Sequence, residues 1–151
     1  MFNKVIVGCD HAGFGLKPLL VQEIREKGLR LEDVGVFSSA ESVDYPDSVP
    51  PVVKAVLANP EVCGLLICGS GIGMSIAANR FPGIRAALCS DVLTAQLARH
   101  HNDANVLVLG AGMIGPRLAS ACLSAFLGAS FEGGRHSVRL EKLARLTNTW
   151  E

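Results

Sequence analysis

The 151 residues set 14 Lys and Arg against 14 Asp and Glu, a balance that leaves no net field to draw the chain to nucleic acid or an anionic membrane. At 49% hydrophobic and 5% aromatic, with 16 glycines, the composition fits one tightly packed α/β domain over residues 1–151, large enough to bury a core without disulfides or a structural metal. Five cysteines (Cys9, Cys63, Cys68, Cys89 and Cys122), odd in number and without C-x-x-C spacing, argue against a disulfide framework and a zinc site and are expected to be reduced.

In chain order, Met-Phe-Asn-Lys runs straight into Val5-Ile6-Val7 without the charged, apolar and small-residue zones of a signal peptide. No apolar run approaches the ~20 residues of a membrane helix, so the expected location is the cytoplasm. Strand-like runs recur at residues 4–8, 31–34, 65–68, 84–88 and 106–109, each followed by small or polar residues and then a helical pattern. In the first helix Leu16, Leu19, Leu20 and Ile24 mark an apolar stripe, and Gly28 is its natural stop. A polar, turn-rich segment fills residues 37–47, a length at which loops often carry function. Val52, Val53, Val56 and Leu57 suggest a second helix between Pro50-Pro51 and Asn59-Pro60. Further helices are expected at 74–80, 92–99 and 116–127, with a last one from about 136 to 151. There Val138, Leu140, Leu143 and Leu146 make no clean single stripe, so a partner subunit is expected to cover it. Alternating strands and helices imply a parallel sheet with right-handed crossovers: an α/β chain forming a three-layer α/β/α, Rossmann-like domain around five strands.

Ligands of such sheets bind outside the carboxyl ends of the strands. Three motifs fall there: Cys9-Asp10-His11, Asp44-Tyr45-Pro46, and Cys68-Gly69-Ser70-Gly71-Ile72-Gly73. The alternating glycines strip side chains from a strand-to-helix turn, whose N–H groups suit a phosphate or a developing oxyanion. Cys68 at its edge is where a reactive thiol is expected. Each residue also has a purely structural alternative. Asp10-His11 could cap the first helix, Asp44 and Tyr45 could be turn and packing residues, the glycines could serve close packing, and Cys68 could be one more core thiol.

A second cluster joins Arg99-His100-His101-Asn102-Asp103 to Gly133-Gly134-Arg135-His136-Ser137-Val138-Arg139. Arg135 and Arg139, spaced i and i+4, share a helical face, and two cations opposing a helix dipole at its N-terminus would be explained by a bound anion such as phosphate. A solvated basic face continued by Lys142 and Arg145 is the alternative. Topology places this cluster at the opposite edge of the sheet from the glycine loop, and strands of this kind are ~17–20 Å long. One subunit would struggle to unite the two halves. A two-fold partner could supply the second, giving an active site shared across an isologous dimer interface.

Val-Gly-Cys-Asp-His-Ala-Gly-Phe, Asp-Tyr-Pro, Cys-Gly-Ser-Gly-Ile-Gly-Met-Ser-Ile-Ala-Ala-Asn-Arg, His-Asn-Asp-Ala-Asn-Val-Leu and Glu-Gly-Gly-Arg-His occur in that order along essentially the whole chain. Together they resemble the ribose-5-phosphate isomerase B family, in the group that also holds allose-6-phosphate and galactose-6-phosphate isomerases. The resemblance implies interconversion of ribose 5-phosphate and ribulose 5-phosphate through a cis-enediolate, with no metal or cofactor; a six-carbon sugar phosphate is the alternative substrate. It implies Cys68 as the base, Ser70 as its assistant, and His101 with Asp10 as the ring-opening groups. The N–H groups of Gly69, Gly71, Ile72 and Gly73, with Asn102, correspond to the enediolate site; His11, Arg135 and Arg139 correspond to the phosphate set, and Tyr45 to a further substrate contact. The assembly expected from the topology is a homodimer, which could pair into a tetramer. Part of the family uses a Glu of the glycine loop as base; Met74 stands there in this chain, which points back to Cys68. One departure follows the fifth strand, where Gly112 replaces the family's usual Arg, with Arg117 five residues on as a possible substitute.

Two readings from other classes compete. A dinucleotide-binding domain would use the glycine loop and Asp91, but G-x-G-x-x-G needs a glycine where Met74 stands. A non-catalytic sugar-phosphate sensor would keep the pocket, and intact Cys68, His101 and Asn102 argue against it.

Overall fold

The strand with the most continuous apolar run, Val62–Cys68, is buried at every position in the computed structural model, which describes residues 1–146. A strand covered on both faces needs no polar alternation, and this one (β3) lies at the centre of a parallel five-stranded sheet. In chain order the elements are β1 (Lys4–Cys9), α1 (Lys17–Glu26), β2 (Arg30–Asp33), a 3₁₀ turn (Tyr45–Ser48), α2 (Val49–Ala58), β3, α3 (Ile72–Ala78), β4 (Ala86–Leu88), α4 (Val92–Asn102), β5 (Val106–Gly110), α5 (Pro116–Gly128) and α6 (Arg135–Arg145). The sheet order is β2-β1-β3-β5-β4, every pair parallel. Helices cover both faces. Val5, Val7, Leu65, Leu107 and Phe126 pack with α1, α4 and α5 on one side, and Ile6, Leu66 and Val108 pack with α2 and α3 on the other. Among the described residues no helix is long and apolar enough to cross a membrane.

Several boundaries differ from the sequence expectation. On α1 the buried stripe is Lys17, Leu20, Val21 and Ile24, while Leu19 is exposed; on α2 Val49 is buried and Leu57 is not. Sheet burial thus chose a face rotated from the one the leucines alone suggested, and it carries a lysine. α4 runs three residues beyond the expected Arg99, so His101 and Asn102 belong to its last turn and not to a loop. α3 begins two residues earlier than expected, inside the glycine loop. Gly28 does stop α1, with φ +73° and its N–H donating to the Arg25 carbonyl. Residues 147–151, the end of the expected last helix, lie outside the described residues.

The chain leaves β1 toward β2 at one side of the sheet and returns to β3 on the other side, so the carboxyl ends of β1 and β3 flank the crevice where such sheets bind ligands. Backbone contact there is close. The Asp10 N–H donates to the Ile67 carbonyl at 3.2 Å, and a Cβ on Gly13 would meet that same oxygen at 2.2 Å. Gly13→Ala is therefore expected to lower the unfolding free energy by about 1–3 kcal/mol, read as a reduced urea midpoint at unchanged slope. A wild-type midpoint would show that the turn does not press on β3.

Candidate active site

At the end of β3 the chain turns through Gly71, whose φ of +78° and whose missing Cβ, which would sit 2.4 Å from Leu88, both require glycine. The turn brings the Gly71 N–H to Cys68 Sγ at 3.1 Å and the Ile72 N–H to Ser70 Oγ at 3.2 Å. Two of the four N–H groups expected to face an anion are thus directed at the side chains of Cys68 and Ser70 in this structure. The loop is held from behind. Ala111 N–H donates to the Cys68 carbonyl and Gly112 N–H to the Gly69 carbonyl, each at 2.8 Å. Gly73 is required by a different neighbour, because a Cβ there would lie 2.5 Å from Tyr45 Cζ. Tyr45 therefore packs flat against the start of α3 while remaining 40% exposed.

Asp10, buried beside this loop, accepts the Gly13 N–H on Oδ1 at 2.9 Å. It caps the 10–13 turn and not α1, which begins at Lys17. His11 Nδ1 faces the Val43 backbone, 3.1 Å from its N–H and 3.3 Å from its carbonyl oxygen, which leaves Nε2 as the ring nitrogen turned away from that contact. The same contact pins the 37–47 loop, whose far end is tied by Ser48 Oγ donating to the Cys9 carbonyl at 3.0 Å. Its near end rests on Lys17, a residue the sequence reading passed over. Lys17 as a residue is 3% exposed; its ammonium donates to Asp33 Oδ1 at 2.9 Å and to the Val36 carbonyl at 2.5 Å, near the rings of Phe14 and Phe37. The signal was present, since Lys17 falls on the i, i+3, i+4, i+7 stripe with Leu20, Val21 and Ile24.

All five cysteines are unpaired and buried. Burial pushes the Cys63 and Cys89 thiols up to about 12 and raises those of Cys9 and Cys122, so these four are held as inert thiols. The Cys68 sulfur, at the end of β3, accepts the Gly71 N–H across the turn.

The second cluster assembles as a unit. His101, at the end of α4, stacks on His136 of α6 with ring centroids 4.3 Å apart and planes within 10°. Glu132 ties the two elements, its N–H donating to the His100 carbonyl at 3.0 Å and its carboxylate lying 3.4 Å from His100 Nδ1 and 3.7 Å from His136 Nε2. Burial, then His101 and the Arg135 and Arg139 guanidiniums, push the His136 imidazole below its usual value, against the pull of Glu132. His101, Glu132 and His136 offer three ligating atoms within 4.8 Å of one another. An imidazole lone pair lies in its ring plane, and two stacked planes do not meet at one nearby point, so this geometry does not suit a shared metal ion. Asn102, Arg135 and Arg139 are exposed alongside.

The two clusters stand at opposite ends of the sheet. Cys68 pairs with Gly110 at the carboxyl end of β5, whereas His101 precedes Val106 at its amino end. Five strand residues put about 13 Å between those ends. Arg117 is exposed in the first turn of α5, on the Cys68 side, and Gly112 holds the loop through its N–H. Asp91 caps α4 by accepting the Thr94 N–H at 2.8 Å, which commits the carboxylate that a dinucleotide reading would need.

Comparison with known proteins gives one consistent result. The family model described as Ribose/Galactose Isomerase matches residues 5–143. The chain is 47% identical over 144 residues to ribose-5-phosphate isomerase B of Escherichia coli strain K12, covering 95% of this chain and 96% of that one. Among solved structures, ribose-5-phosphate isomerase B of Clostridium thermocellum superposes with a TM-score of 0.93 at 41% identity, over 98% of this chain and 99% of that one. The Mycoplasma genitalium enzyme, solved with bound ribulose-5-phosphate, gives 0.92 at 35% identity over 97% of each chain. Matched over residues 5–143 and along nearly the whole length of its relatives, the chain belongs to the Ribose/Galactose Isomerase family.

Proposed function

We propose that this chain is a sugar-phosphate aldose–ketose isomerase that interconverts ribose 5-phosphate and ribulose 5-phosphate. The observation that carries the reading is the Cys68 sulfur, set at the sheet's ligand-binding crevice and receiving the Gly71 N–H, beside Ser70 and Asp10. An N–H donor directed at sulfur serves a thiolate better than a thiol. In the open-chain aldose the thiolate removes the proton on C2, and the carbonyl oxygen on C1 takes up the resulting charge as a cis-enediolate. A proton passes between O2 and O1, and the Cys68 thiol returns its proton to C1. Oriented N–H groups of residues 69–73, with Asn102, stabilise the charge that develops on the two oxygens. Ser70 holds the thiol's surroundings, Tyr45 bounds the crevice, and His101 with Asp10 opens the furanose ring. No step calls for a metal or a cofactor.

The phosphate is remote from the reacting carbons and binds between His11 and the Arg135 and Arg139 guanidiniums, fixing the sugar for proton transfer. In our reading Arg135, Arg139, His101 and Asn102 of each site belong to the partner subunit of a homodimer. Two features support that arrangement. Ile72 and Ile76 on α3, which starts in the glycine loop, and Met113, beside Gly110, are all more than half exposed and put apolar surface at this end of the sheet. At the other end α6 and the edge strand β4 leave an apolar groove of about 630 Å³ lined by Ile84, Ala86, Leu140 and Leu143, with Val138 and Leu143 exposed on the helix. A second copy covers both. Five unpaired thiols suit a reducing compartment, and we place the enzyme in the cytoplasm.

The test is solvent exchange. Ribose 5-phosphate incubated with the enzyme in D₂O should gain deuterium at C2 as ribulose 5-phosphate appears, at a rate that scales with enzyme. Binding without exchange would mark a sensor, and faster exchange on a six-carbon aldose phosphate would move the substrate to that sugar.

A further inference from the structure

The frame around the end of α4 has no role in the reaction as described above, yet it fixes the residue beside the ring-opening group. Asp103 caps this helix with φ +44°, the one non-glycine residue in the left-handed region among the described residues. The last carbonyls of a helix lack partners within it, and cations complement the dipole there. Arg85, just ahead of β4, supplies both. Its Nε donates to the Asn102 and Asp103 carbonyls, each at 3.0 Å, and its Nη2 donates to Asp103 Oδ2 at 3.0 Å. From the other side Arg99 Nη1 donates to Asp103 Oδ1 at 2.8 Å and to the Ala104 carbonyl at 2.6 Å.

The two arginines differ in setting. Arg99 is buried, with its guanidinium 4.4 Å from the Phe2 ring centroid, as a residue that stabilises the fold would be. The Arg85 side chain is 29% exposed, and ion pairs open to water add little stability. What Arg85 does supply is geometry. Its own backbone is fixed to β5 by its N–H donating to Asn105 Oδ1 at 2.8 Å and its carbonyl accepting the Asn105 N–H at 3.1 Å. From that anchored base three bonds converge on the two residues that follow His101, while the His101 ring is held by stacking on His136.

We propose that Arg85, acting through Asn102 and Asp103, is a positioning residue for His101; the inference rests on the reading of His101 as the ring-opening group. Arg85→Met should lower kcat on ribose 5-phosphate by roughly 10- to 100-fold, the scale of a small misplacement of a reacting group, with KM and the urea midpoint close to wild type. A structural role alone would do the reverse. Asp103→Asn keeps a residue that tolerates the left-handed backbone and removes the carboxylate, so it should reproduce the kcat loss and serves if Arg85→Met folds poorly. The deciding measurement is a double-mutant cycle with His101→Asn. If Arg85 acts through His101, the double variant is no slower than His101→Asn alone. Losses that multiply, or wild-type kcat in Arg85→Met while His101→Asn is impaired, would overturn the proposal. Wild-type turnover in His101→Asn would instead remove the role of His101 itself, and the proposal with it.

Discussion

Cys68→Ala is expected to lower kcat on ribose 5-phosphate by about 10²–10⁴-fold, the usual contribution of a positioned general base, while substrate affinity stays near wild type. The reason is geometric. Cys68 is buried at the end of β3, and the groups we assign to the phosphate are other side chains, His11, Arg135 and Arg139. Losing one sulfur from a buried site also leaves a small void, so the urea midpoint should fall modestly, and kcat must be compared at temperatures well below unfolding. Cys63→Ala and Cys122→Ala provide the contrast: both remove buried thiols of the same size, and both should retain kcat. Loss of turnover in all three would point to packing as the cause, and normal turnover in Cys68→Ala would remove it as the base. Deuterium exchange at C2 should vanish with turnover in Cys68→Ala, because both need the same proton transfer.

The sequence exposed the sheet and its crevice because their signals are local. Three alternating glycines between an apolar run and a helix pattern mark a tight turn, and the structure gives two of them distinct reasons: Leu88 against Gly71, Tyr45 against Gly73. Five apolar runs at α/β spacing became five parallel strands. The second cluster was readable as two motifs and joined in space as expected, His101 on His136. What stayed hidden depends on tertiary partners. Lys17 reads as a solvated end of a helix until Asp33, the Val36 carbonyl and two aromatic rings close over it. Of the expected α1 stripe Leu16, Leu20 and Ile24 are buried and Leu19 is not, because hydrophobicity alone does not give the direction of the sheet, and burial takes in Val21 instead. The Arg85–Asp103–Arg99 frame joins residues 85, 99 and 103, and no single motif spans them. Donor assignments in the glycine loop were equally out of reach. Whether an N–H faces an anion or a neighbouring sulfur depends on backbone angles that composition leaves open.

The central claim is that each active site takes Cys68 from one subunit and the Arg135–Arg139 pair from its partner. Arg135→Met with Arg139→Met should cut kcat/KM sharply, since each charge-assisted bond to phosphate is worth roughly 10- to 100-fold, and the loss should appear mainly in KM. Co-expressing this variant with Cys68→Ala under separate tags, and purifying the mixed dimer, tests the claim directly. In a mixed dimer one site carries all three substitutions, and the other draws an intact Cys68 and an intact arginine pair from opposite subunits. Purified mixed dimers should therefore show about half of wild-type activity per dimer, with wild-type KM, from two nearly inactive parents. Mixed dimers no more active than the parents would contradict a shared site and place the whole of it within one subunit.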